Sequence, residues 1–80
     1  GMSLSKLSQK YSGACTRMHE ACDLMYESLH DNNGNPLTDV EPAIEVVTSC
    51  RKWLLLEIDL IRECVKEYKE NESASNKFKT

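Results

Sequence analysis

Cys15, Met18, His19 and Cys22 follow one another at steps of three, one and three, in a stretch free of proline. On a helix such positions fall within about 100° of arc, so the four side chains line one face. Thiolate, thioether and imidazole form a soft donor set suited to Cu(I) or Zn(II). A single helix face cannot wrap a tetrahedral ion, however. Cys50 is the donor that a helical hairpin would bring nearest to Cys22. The plainer use of Cys15 and Cys22 is as small buried hydrophobes beside a helix seam, where Ser8 and Leu29 are their equivalents one heptad out. A Cys22–Cys50 disulfide is a third reading, and it requires a Cα separation below about 7 Å.

Lys6, Lys10 and Arg17 are the other chemistry-bearing group, a short basic run suited to RNA phosphates. It is followed by Glu20, Asp23, Glu27 and Asp31, so one helix would carry opposite poles. Ten basic and thirteen acidic residues give a formal charge of −3, which counts against a dedicated nucleic-acid binder. His30 and Asp31 read as turn residues rather than an acid–base pair. Nucleophile-elbow, phosphate-loop and paired-carboxylate motifs are missing, and Gly34 stands alone in its loop. The expectation is a non-enzymatic protein without a cofactor.

Two long helices must position these groups. Leu4, Leu7, Tyr11, Ala14, Met18, Ala21, Met25 and Ser28 alternate at spacings of three and four, the pattern of a coiled-coil seam. Leu4, Tyr11, Met18 and Met25 form a large row, and Ala14, Ala21 and Ser28 a small one that lets a partner helix approach closely. The first helix is expected over about 3–30, with a soft spot at Gly13, since glycine costs about 1 kcal/mol in a helix interior. Asp31-Asn32-Asn33-Gly34 and Pro36 supply the stop. Thr38 and Glu41 form a capping box that starts a second helix over about 39–70, with Leu37 and Pro42 as its hydrophobic staple. Residues 1–2 read as a cloning remnant, the loop as 31–38, and 71–80 as a disordered tail. The fold class is therefore all-α: an antiparallel two-helix hairpin in residues 3–70, joined by a short link.

The second helix has more apolar surface than one neighbour can cover. Val40, Ile44, Val47, Leu54, Ile58, Ile61, Val65 and Tyr68 form a stripe, Val46, Trp53 and Leu60 a second row, and Ala43, Cys50 and Cys64 the angle between. With Leu55 the apolar arc reaches about 220°, against the roughly 100° stripe of a helix resting on a core. An 80-residue chain also hides only about 60–65% of its unfolded surface, so its core is marginal without help. Dimerisation into a four-helix bundle, two-fold symmetric, is the simplest remedy. A helix from a different protein would serve the same end. Val46, Trp53, Leu60 and Arg51 are the expected interface. Arg51 interrupts the stripe, either snorkelling at the bundle edge or paired with an acid such as Glu57 of a symmetry mate.

The longest apolar run, residues 53–56, is far short of the ~18 residues of a membrane span, and no signal-type segment is visible. The four cysteines are then expected as free thiols in a reducing, cytoplasmic setting. In its alternating large and small seam, the hairpin resembles the plasmid copy-number regulator Rop, a dimeric bundle that binds paired RNA loops. The resemblance covers the two helices and no particular residue. A Rop-like RNA-binding role would need a basic face repeated across the dimer axis, for which Lys6, Lys10 and Arg17 are the only candidates, and the acidic end of the first helix counts against it. Copper-storing bundles and the hairpin co-chaperones of secretion apparatus are similar in the same architectural sense. The leading expectation is a small helical interaction module, an adaptor, regulator or chaperone-like protein, acting through a self-associating or partner-binding apolar face. A soft-metal bundle and a Rop-like regulator are the alternatives.

Overall fold

Residues 2–77, with the side chains of 2–74, are described in a computed structural model. The first helix, α1, spans Leu4–Ser28 and the second, α2, spans Glu41–Lys77. They pack against one another as an antiparallel hairpin, and no strand occurs among the described residues. The body is slender, 19 and 15 Å across its two short axes.

Ser3 caps α1 from an extended backbone, its hydroxyl accepting from the Lys6 N–H at 3.2 Å. The helix then runs through Gly13 without a break and ends at Ser28, with Leu29 as its cap, slightly short of the expected boundary. Its last turn closes tightly, with the Leu29 and His30 N–H groups donating to Tyr26 and Glu27 carbonyls. His30 folds back so that Nδ1 donates to the Tyr26 carbonyl at 2.6 Å and its ring stacks on Tyr26 at 4.1 Å. His30 is thus occupied in ending the helix.

Asp31 organises the connection. Its carboxylate accepts from the N–H groups of both Asn33 and Asn35 at 2.9 Å, while its own N–H donates to the Asn35 carbonyl. Gly34 sits at φ +81°, a left-handed backbone that glycine adopts without a Cβ penalty. The chain then returns alongside itself through an isolated bridge between His30 and Pro36 and a Leu37 N–H bond to the Leu29 carbonyl.

The start of α2 differs from the expected capping box. Asp39, not Thr38, supplies the side-chain acceptor, taking the Glu41 N–H at 3.1 Å. Pro42 explains the shift. A helix capped at Thr38 would place Pro42 at its fourth position, where the absent N–H and the ring clash with the preceding turn. Starting at Glu41 puts the proline in the first turn, where it is tolerated. Asp39→Ala should therefore destabilise by about 1 kcal/mol in denaturant titrations, whereas Thr38→Ala should stay within about 0.5 kcal/mol.

The far end of α2 also exceeds expectation. Residues 71–77 are helical, and residues 78–80 of the expected tail lie outside the described residues. Glu70 to Ala74 contains no proline or glycine to stop the helix. Asn71 supplies the reason for continuing, since its Nδ2 donates to the Met2 carbonyl at 2.8 Å and ties α2 to the start of α1.

The line of contact between the helices is narrow and, apart from Leu7 and Glu57, made of small groups. On α1 the buried residues are Leu7, Ala14 and Ala21, at strict seven-residue spacing. On α2 they are Ala43, Cys50, Glu57 and Cys64, again at sevens. Ala14 and Ala21 have no exposed surface, and the largest side chain fully enclosed is Cys50. The small row therefore makes the contact. The large row beside it contributes less: Met18 and Met25 are half-buried, and Leu4 remains 56% and Tyr11 45% exposed. Small residues let the backbones approach, but they bury little apolar area, so the hairpin's own core is weak.

Candidate interaction faces

Glu57 is the anomaly in that contact line, an acid where every neighbour in the row is alanine or cysteine. Arg17 answers it. Its Nε donates to both carboxylate oxygens, at 2.8 and 2.9 Å, from α1's flank. Arg17 reaches back over Gly13, where a Cβ would meet Nη1 at 3.1 Å. A side chain at 13 would press on the guanidinium and require it to give by a few tenths of an ångström. The hydrogen bond to Glu57 raises the basicity of Arg17, opposed by partial desolvation and aided by Coulomb attraction from Glu57 and Glu20. Because the folded state holds this proton more tightly, Arg17's contribution is complete below the ordinary arginine range and is lost only as pH climbs beyond it. The Arg17–Glu57 and Asn71–Met2 bonds specify the same antiparallel register to within one residue.

With the contact line located, the remaining apolar residues sort onto two flanks. In an antiparallel pair, residues offset in the same direction from the two buried rows lie on the same side of the hairpin. Four positions on from the buried rows stand Tyr11, Met18 and Met25 of α1, with Leu4 three before Leu7, and Val47, Leu54, Ile61 and Tyr68 of α2. One position on from the α2 row are Ile44, Ile58 and Val65. A groove of about 520 Å³ agrees with the grouping, being lined by Leu4, Tyr11 and Cys15 from α1 and Val65 and Tyr68 from α2. This broad flank holds Val40, Ile44, Val65 and Tyr68, all exposed, and among the described residues its charges are Arg51 and, at the open end, Glu72.

The opposite flank is narrower and mixed. Leu24 meets Pro42, Val46 and Trp53 around a second groove of about 400 Å³, with Glu45 at its rim. Beyond Trp53, towards the open end, the same flank carries Arg17 and Lys10 of α1 and Leu60 and Glu67 of α2. The four residues expected at one interface therefore divide. Val46 and Trp53 share a groove and Leu60 stands one heptad further on, while Arg51 belongs to the other side. Arg51 is exposed, and the suggested mate for it, Glu57, is buried and already engaged by Arg17 of its own chain. An acid in the row Ala43–Cys50–Glu57–Cys64 was the sequence signal for that pair, since a buried carboxylate demands a base across the seam.

The candidate metal donors do not converge. Cys15 and Cys22 are exposed free thiols, Met18 is half-buried, and His19 faces outward with Nδ1 3.1 Å from the Asp23 carboxylate. Among the described residues no group of three or more His, Cys, Asp or Glu is placed to hold a metal. Cys22 is exposed and Cys50 buried in the contact line, and both are free. Cys50 and Cys64 should react with a thiol-directed dye about 100-fold or more slowly than Cys22, at a rate set by hairpin opening, as read by mass spectrometry of labelled peptides. Of the candidate RNA contacts, Lys6 and Lys10 are exposed, but Arg17 is held in the Glu57 pair.

Among the described residues no helix is long and apolar enough to cross a membrane. No family model matches this chain, and comparison with curated proteins and with solved structures finds no significant match.

Proposed function

We propose that this hairpin is a helical protein-interaction module, an adaptor or regulator, whose broad flank is closed by a second copy to form a four-helix bundle. One observation carries the reading. Among the described residues Leu7 is the only large aliphatic side chain buried within the lone hairpin, while Leu4, Tyr11, Val40, Ile44, Val65 and Tyr68 stay exposed on one side. Soluble proteins rarely leave so much contiguous apolar surface uncovered. The overlap of the helices, about 37 Å long and 19 Å wide, offers roughly 700 Å² per copy, close to the ~800 Å² each partner contributes to a standard interface. A face whose charges are few, Arg51 near its middle and Glu72 at its open end, lets two identical patches meet at little cost in buried unpaired ions.

The metal and RNA readings find less support. Cys15, Met18, His19 and Cys22 share one face of α1, but His19 turns to Asp23 and among the described residues no donor set of three gathers there, while Arg17 has a structural partner. Size-exclusion chromatography with light scattering is the direct test. A mass of twice the chain at micromolar concentration supports the bundle, and a stable monomer removes it.

A further inference from the structure

We infer that the opposite flank, the groove between Leu24 and Trp53, is a docking site for a basic amphipathic helix of a partner protein; the inference deepens the adaptor reading by naming the partner's chemistry. The groove is apolar at its floor, with Leu24, Pro42, Val46 and Trp53 lining it. Its length along α2, from Pro42 to Trp53, is about 17 Å, or three helical turns. That suits two or three apolar anchors spaced at i, i+3 or i+4 and i+7.

The rim supplies the sign of the partner's charge. Glu45 lines the groove on the α2 side. On α1, Glu20 and Glu27 each stand one position before the contact line, at Ala21 and Ser28, on the same side as Leu24. Glu20 stands three positions after Arg17 on α1 and attracts its guanidinium. Asp23 lies beyond them, and the opposing charges are Lys52, one heptad on from Glu45, and Arg17, which is already engaged by Glu57. The balance around the groove is acidic. A helix with lysine or arginine bordering its apolar stripe would find both halves of its surface matched, the charges steering encounter and the anchors holding it.

A second copy fits this flank less well than the broad one. An isologous contact along the full hairpin would have to cover Lys10, Glu67 and the Arg17–Glu57 pair, desolvating charges that gain no new partner. The groove spans only the loop half of the hairpin, the scale of a short helix rather than of another hairpin.

Trp53 is the only tryptophan, so its fluorescence reports on this groove alone. The experiment titrates the full chain with a synthetic amphipathic peptide of leucine, alanine and lysine, about 15 residues long so that it can be helical when bound. Its counterpart with glutamate in place of lysine is run in parallel. The expected result is a saturable blue shift of Trp53 emission with the lysine peptide only, weakened by added salt. The double variant Glu20→Lys/Glu27→Lys, helical by circular dichroism, should raise the dissociation constant about tenfold or more. An unchanged emission spectrum, equal binding of the glutamate peptide, or indifference to the double variant overturns the inference. So does a blue shift that grows with protein concentration alone, because a second copy would then occupy the groove. Light scattering on the same samples separates the two readings: a monomer that binds the peptide removes the bundle and keeps this site, whereas a dimer blind to the peptide removes only this site.

Discussion

In the proposed bundle, Leu54→Lys should turn a dimer into a monomer and lower its thermal stability. Leu54 stands four positions after Cys50, midway along the broad flank, and is half-buried within its own chain. Closing a bundle over it would complete its burial. Losing a fully buried leucine side chain costs about 2–5 kcal/mol, and a lysine there would also carry a charge into an apolar contact. The dimer dissociation constant should rise by at least about 100-fold, which corresponds to roughly 2.7 kcal/mol. Light scattering across a dilution series measures it. Leu56→Lys is the matched control, since Leu56 is 69% exposed and lies away from the broad flank. It should leave both mass and melting temperature nearly unchanged. Equal behaviour of the two variants would remove the assignment of the broad flank.

Arg17→Ala should be the most damaging substitution of any charged residue in the chain. It leaves Glu57, only 8% exposed, as a carboxylate among alanines and cysteines, stripped of the base that answers it. Removing one member of a buried pair is far worse than replacing both with apolar groups of similar shape. Arg17 itself is 42% exposed, so solvent screens part of the loss. The expected fall in melting temperature is roughly 5–10 °C. Arg17→Ala combined with Glu57→Leu should recover most or all of it, because the seam then holds no stranded charge. The recovery has a consequence for specificity. With the carboxylate gone, the buried row of α2 would be apolar throughout, and the register would rest on the Asn71–Met2 bond and the turn alone. Alternative helix offsets should then appear as broadened amide signals by NMR. A double variant no more stable than Arg17→Ala would show that the pair's role is not the relief of a buried charge.

The helical hairpin was legible because its signals are local and repeat. The three-four spacing of α1, the alternation of large and small rows, and the turn residues of 31–36 each state a requirement of the nearby backbone. The boundaries were less legible where two local rules compete. Thr38 and Glu41 have the spacing of a capping box, yet the constraint of Pro42 outweighs it and moves the start of α2 to Glu41. Asn71 looked like the beginning of a polar tail because its partner, the Met2 carbonyl, lies at the other end of the chain.

The candidate faces were less legible still. Seven-residue spacing says that Ala14, Met18 and Trp53 lie on defined stripes, and composition says that α2 has apolar surface to spare. Neither says which stripe faces the neighbour. Packing made that choice: the small row takes the centre, because alanine and cysteine let the helices approach where leucine and tyrosine hold them apart. Once the small row is central, the large residues are divided between two flanks, and Arg51 and Trp53 part company. The periodicity of the chain dictated two amphipathic helices and the turn between them, since each depends on side chains a few residues apart. The rotation of one helix against the other, the Arg17–Glu57 lock and the separation of the two faces arise only when residues forty positions apart compete for the same space.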